Sequence, residues 1–134
     1  MPGPGAGVST AAWRRWASKL DDIVTDDGAT IDFYNSLEEG EWEEVTDDDV
    51  VRLLTPAVQS INVGFCFYLT DASIAAVVAQ CPYLTRLDVF GCSLTDASIL
   101  AVAENCANLV TLRVESCHNL TDASIIAAAQ NCAN

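Results

Sequence analysis

Four Thr-Asp pairs, Thr46-Asp47, Thr70-Asp71, Thr95-Asp96 and Thr121-Asp122, recur along this 134-residue sequence at spacings of 24, 25 and 26 residues. Around the last three pairs the phrase LTDASI returns unchanged, at 69–74, 94–99 and 120–125. A period of this length marks a chain of stacked supersecondary units, each burying its apolar face only against a neighbour. All six cysteines keep the same beat in two series, Cys66, Cys92 and Cys117, and Cys81, Cys106 and Cys132. The clearest unit reads CPYLTRLDVFGCSLTDASILAVAEN (81–105). The next, CANLVTLRVESCHNLTDASIIAAAQN (106–131), is one residue longer.

Two hydrophobic periods alternate inside each unit. Leu84, Leu87 and Val89 alternate as a strand does, as do Leu109, Leu112 and Val114. The spacing then turns helical through Ile99, Val102 and Ala103, and through Ile125, Ala128 and Ala129. Thr95 stands where an N-cap belongs, and Asp96 follows in the first turn, where a helix dipole favours a carboxylate. LTDASI is therefore expected to be a strand-to-helix corner used three times, and a catalytic role for its aspartates is not expected.

These residues resemble the cysteine-containing subtype of leucine-rich repeats, with its Cys-x-x-Leu-x-x-Leu-x-Leu-x-x-Cys stretch, Leu/Ile-Thr-Asp corner and helix. The likeness covers about residues 57–134 and is weaker in the first unit, where Val58 and Ile61 replace leucines and the leading cysteine is missing. It implies an α/β, right-handed leucine-rich-repeat solenoid, with parallel strands on a concave face and helices on a convex one. It also implies a non-catalytic protein–protein interaction module, an adaptor or a small subunit of a larger assembly. The F-box substrate receptors of ubiquitin ligases bear this subtype, so the alternative is a substrate-recognition fragment of such a receptor. The coupling factor B type of ATP synthase is similar in repeat type and size. Residues 9–56 show no convincing F-box. The subtype uses its cysteines as small buried side chains, implying reduced thiols and an intracellular location, cytoplasmic or in an organelle such as the mitochondrion.

Residues 1–8 are expected to form a flexible N-terminus. Residues 9–56 read as an N-terminal cap with an acidic loop and a degenerate first repeat; three repeats fill 57–134. Ser9 or Thr10 can cap a helix whose Trp13, Trp16, Ala17 and Leu20 share a face. A cap over the first repeat and a targeting or membrane-surface helix both fit that pattern. Ile31-Asp32-Phe33 reads as a degenerate strand, followed by about six looped-out residues around Glu39–Glu44. Trp42 is expected to tuck onto the cap.

Thirteen of the nineteen acids lie between Asp21 and Asp49, within a net charge of −13. That balance excludes nucleic acid as an expected partner and suits a basic protein partner, or simply a solvated surface. No apolar run reaches the length of a membrane span. No Cys-x-x-Cys pair occurs, and His118 has no ligand spacing to a cysteine, so neither metal nor cofactor is expected. His118 is expected in an exposed loop.

Function then falls to the strand positions that alternation turns away from the core. Those are Ser60, Asn62 and Gly64, then Arg86, Asp88 and Phe90, then Thr111, Arg113 and Glu115. The expected rows are Ser60–Arg86–Thr111, Asn62–Asp88–Arg113 and Gly64–Phe90–Glu115. Asp88 would pair with Arg113 across strands, and Phe90 would be an exposed binding hot spot with Phe67 and Tyr68 at its rim. Cys132-Ala133-Asn134 would begin a further strand, so the C-terminal edge is expected to be open and stacked on another chain, a partner or a second copy, unless the natural protein is longer.

Overall fold

The computed structural model describes residues 16–131. It is an α/β structure in which a four-stranded parallel sheet alternates with helices, the strands lying in the order β1-β2-β3-β4. The strands are β1 (Thr30–Asp32), β2 (Ser60–Asn62), β3 (Arg86–Asp88) and β4 (Thr111–Arg113). Leading into β1 is a short α1 (Leu20–Ile23), and after it come α2 (Phe33–Ser36) and α3 (Asp47–Val51). The three LTDASI phrases then open the three long helices, α4 (Asp71–Gln80), α5 (Asp96–Asn105) and α6 (Asp122–Asn131).

The period sets the register. Ile31, Ile61, Leu87 and Leu112 stand opposite one another across the sheet, with Ser60–Arg86–Thr111 and Asn62–Asp88–Arg113 as the flanking rows. Ile31, Ile61 and Leu87 face the helices and are fully buried, as are Ile74 and Ile99 on α4 and α5. The ladder continues beyond the strands: the Val63 and Val89 amides donate to the carbonyls of Asp88 and Arg113. The degenerate strand at Ile31 is therefore a full member of the sheet.

Each corner is tied to the next by its aspartate. Thr70 and Thr95 cap α4 and α5, accepting from the Ala72 and Ala97 amides. Asp71 does occupy the first turn of its helix, yet its carboxylate faces the following unit. It accepts from the Thr95 amide (3.0 Å), the Thr95 hydroxyl (2.6 Å) and the Ser98 hydroxyl (2.5 Å). Asp96 does the same with Thr121 (2.9 and 2.6 Å) and Ser124 (2.5 Å). Asp47 holds Thr70 and Ser73 in the same way. Each serine is buried and finds a charged acceptor, which explains why Thr, Asp and Ser recur together.

Burial pushes the Asp71 carboxyl up, but the hydrogen bonds from Ser98 and Thr95 outweigh it and hold its pKa below the ordinary value. Ser124 and Thr121 lower that of Asp96 likewise. A carboxyl depressed in the folded state contributes stability that is complete above its unfolded pKa, about 3.9 for Asp. That contribution disappears as pH falls through the folded pKa values. The urea midpoint of the protein should thus drop steeply below about pH 4. The Asp71→Asn/Asp96→Asn double variant should start lower and fall less over the same interval. Equal acid slopes for the two proteins would remove the ladder from the stability argument.

The five described cysteines carry free, buried thiols. Cys92 donates to the Val63 carbonyl and Cys117 to the Val89 carbonyl, each at 3.1 Å, so one series runs as a column of weak donors beneath the sheet ends. Burial and the neighbouring Cys117 push the Cys92 thiol up to about 12, which keeps it protonated.

The N-terminal edge of the sheet is closed. Val24 bridges Ile31 antiparallel, and Trp16 and Ile23 join the core beside it. The expected helix start at Ser9 or Thr10, the expected flexible stretch 1–8 and Trp13 lie outside the described residues. What is described of that helix is a 3-10 turn at Ala17–Lys19 running into α1, not an uninterrupted α-helix. Lys19 Nζ pairs with Glu41 at 2.6 Å, fastening this segment to the acidic stretch. Trp42 is tucked as expected, its indole N–H donating to the Tyr34 carbonyl at 3.1 Å. Among the described residues no helix is long and apolar enough to cross a membrane.

Candidate functional site

The sheet face turned away from the helices carries the rows that sequence singled out, and it holds an aromatic cluster that sequence did not foresee. Tyr34, in α2 just beyond β1, comes up beside the third row, Gly64–Phe90–Glu115. Because Gly64 has no side chain, the Phe90 ring lies across it and meets Tyr34 edge-on, with centroids 4.8 Å apart. The next row repeats the device in reverse: the Phe65 ring lies across Gly91. Phe65 and Phe90 then meet edge-to-face at 5.5 Å. Gly64-Phe65 in one unit and Phe90-Gly91 in the next thus interlock, each ring occupying the space that the other unit's glycine leaves. Trp42 stacks on Tyr34 at 5.3 Å and touches Phe65, and Phe67 extends the cluster outward.

This packing corrects two expectations. Phe90 has the predicted register but is only 7% exposed, because Tyr34 and Phe65 wall it in and the Arg113 guanidinium lies over its ring at 4.6 Å. It is a structural ring, not an exposed hot spot. Asp88 also faces away from the helices, yet is 1% exposed and pairs with Arg86 (2.9 Å) two residues back, not with Arg113. Arg113 pairs instead with Glu115 at 3.3 Å, so the ion pairs run along strands rather than across them.

The rest of the predicted surface is accessible. Arg86, Arg113 and Glu115 are exposed, Thr111 and Asn62 are half-buried, and Phe67 and Tyr68 are 38% and 70% exposed at the rim. Asn62 accepts from the Gly64 amide, which fixes the turn into the cluster. Asp88 Oδ1 is buried with no hydrogen-bond partner, so this face retains one unsatisfied acceptor beneath the arginines. Beside the cluster a half-open groove of about 200 Å³ runs between Phe65, Phe67, Ser93, Ser116 and the exposed His118. Sequence missed Tyr34 and Phe65; the reversed order of Gly64-Phe65 and Phe90-Gly91 is a signal for Phe65, whereas Tyr34 lies in an irregular segment that carries none.

Chemically the face offers paired charges on a rigid aromatic floor. Among the described residues no group of three or more His, Cys, Asp and Glu side chains is placed to hold a metal ion. Asp47, Asp71 and Asp96 spend their carboxylate oxygens on the next unit's Thr and Ser. No protein-family model matches this chain, and no curated protein matches it.

Proposed function

We propose that this protein is a leucine-rich-repeat solenoid that acts as a non-catalytic binding module, an adaptor or small subunit gripping a protein partner on the outer sheet face. The observation that carries the reading is the exposure of Arg86, Arg113 and Glu115 on the outer sheet face, with Arg113 lying over the Phe90 ring that packs against Tyr34 and Phe65. A pre-organised surface of this kind loses little side-chain entropy on binding, which favours recognition. The sequence period, the parallel sheet in chain order and the cysteine columns support the repeat class. The acidic stretch beside Trp42, with Glu38, Glu39, Glu43 and Glu44 all exposed, suits a partner whose contact surface is basic at that side.

The test is affinity purification of the full chain from its native source, then titration of the recovered partner against defined variants. Arg113→Glu should weaken binding on the order of tenfold or more, since it sets like charge beside Glu115 and removes the cation from Phe90. Glu104→Arg, on the exposed side of α5, should bind as the parent does. Loss in Glu104→Arg alone would move the contact to the helices. Recovery of a ubiquitin-ligase core adaptor as the main partner would favour the receptor-fragment alternative.

A further inference from the structure

In a chain of net charge −13, the exposed Lys and Arg side chains of the described residues gather in one place. Lys19 is held by Glu41 and Arg52 is nearly buried, whereas Arg86 and Arg113 both stand exposed on the outer sheet face. They occupy adjacent strands two positions apart, Arg86 opposite Thr111 and Arg113 opposite Asp88. Diagonal neighbours of this kind lie about 7–8 Å apart, close enough for two long side chains to meet on one ligand.

Each arginine makes its hydrogen bond to the protein through Nε. Arg86 gives that nitrogen to the buried Asp88 at 2.9 Å, and Arg113 pairs through it with Glu115 at 3.3 Å. Among the described residues no hydrogen bond uses the terminal Nη atoms of either side chain. Arg113 is steadied further by lying over Phe90 at 4.6 Å. Two guanidinium forks are thus anchored at one end and open at the other, the end that receives an oxyanion in bidentate fashion. Asp88 and Glu115 already balance the two cations, so a singly charged carboxylate meets less repulsion here than a dianionic phosphate would.

The opposite side of the same face is acidic. Trp42 stacks on Tyr34, Tyr34 meets Phe90 and Phe90 carries Arg113, so a run of rings joins the arginines to the exposed Glu43 and Glu44 beside Trp42. From β1 to β4 is three strand spacings, about 14 Å, which an extended peptide covers in about four or five residues. We propose that this face takes an extended segment of a partner protein whose Asp or Glu carboxylate sits in the Arg86 and Arg113 forks, and whose Lys or Arg, about four or five residues away, reaches Glu43 and Glu44. The inference rests on the binding-module reading and narrows it to one partner chemistry. A second copy of this chain is a poorer source of the carboxylate, because two molecules of this net charge repel.

The test selects random peptides on the immobilised full chain and measures those recovered by fluorescence anisotropy. They should share an Asp or Glu about four or five residues from a Lys or Arg. Replacing that acid by its amide, or the chain by Arg86→Gln/Arg113→Gln, should weaken binding about tenfold. Glu115→Gln releases Arg113 from a competing exposed carboxylate and should tighten binding about threefold, a gain that misfolding cannot produce. Peptides that bind without an acid, or bind the double variant as tightly, would overturn the proposal and leave a binding module that uses another contact. Tighter binding with phosphoserine in place of the acid would overturn the choice of carboxylate. A dimer in sedimentation that Arg86→Gln/Arg113→Gln dissociates would overturn the partner, since the forks would then hold the acidic stretch of a second copy. Recovery of no peptide would also overturn the proposal, and the binding-module reading falls with it only if affinity purification finds no partner.

Discussion

Truncation of Phe90 to Ala is expected to lower stability by about 3 kcal/mol, with a melting temperature about 10 °C below the parent. The ring is nearly buried between Tyr34 and Phe65 and beneath Arg113. Its removal leaves a void that cannot close from below, because the residue under it is Gly64 and offers no side chain to collapse into the space. Loss of two edge-to-face pairs, about 0.5–1.5 kcal/mol each, adds to the transfer cost. Had Phe90 been the exposed anchor that alternation suggests, the same substitution would spare folding and damage only binding. Chemical denaturation of Phe90→Ala, Tyr34→Ala and the double variant distinguishes the two. Packing predicts a coupling between the sites of on the order of 1 kcal/mol, whereas a parent-like melting temperature for Phe90→Ala would reject it.

The contrast marks where sequence stopped being informative. The repeat correctly gave the strand rows, the capping threonines, the column of Cys92 and Cys117 and the place of Ile31 in the sheet, although Phe33, read as part of that strand, opens α2 instead. Those features depend on interactions between equivalent positions, so a periodic sequence displays them directly. Alternation told which face Phe90 and Asp88 occupy, but a face is not the same as an exposure. What covers Phe90 is Tyr34 with Trp42 behind it, and both come from residues 33–45, an irregular segment with no period to align. The reach of Asp71 and Asp96 into the next unit was missed for a different reason. Thr, Asp and Ser were each given a role inside their own corner, although the buried serine, a polar residue on the core side of a helix, already called for a partner from elsewhere.

Gly91→Ala should be as damaging as the loss of Phe90, about 3 kcal/mol, although it adds a single methyl group. Two separable costs are involved. Gly91 has φ +72°, a left-handed conformation that charges an L-residue about 1 kcal/mol. Its new Cβ would also fall 2.3 Å from Phe65 Cδ1, and that ring is rigid and confined by Trp42, Phe67 and Phe90. The positions equivalent to Gly91 are Phe65 and Ser116, which already hold positive φ values of 62° and 59° without glycine. The fold therefore tolerates the backbone cost alone, and Ser116→Gly should leave stability unchanged or raise it by up to about 1 kcal/mol. Gly64→Ala isolates the steric cost, because its φ is ordinary while its Cβ would lie 2.3 Å from Phe90 Cζ. Urea titration of Gly91→Ala in the parent and in a Phe65→Ala background completes the cycle. With the ring gone, the cost of the methyl should fall to about the 1 kcal/mol of the backbone. An undiminished cost in that background would mean that the interlocked rings are not what requires glycine at this position.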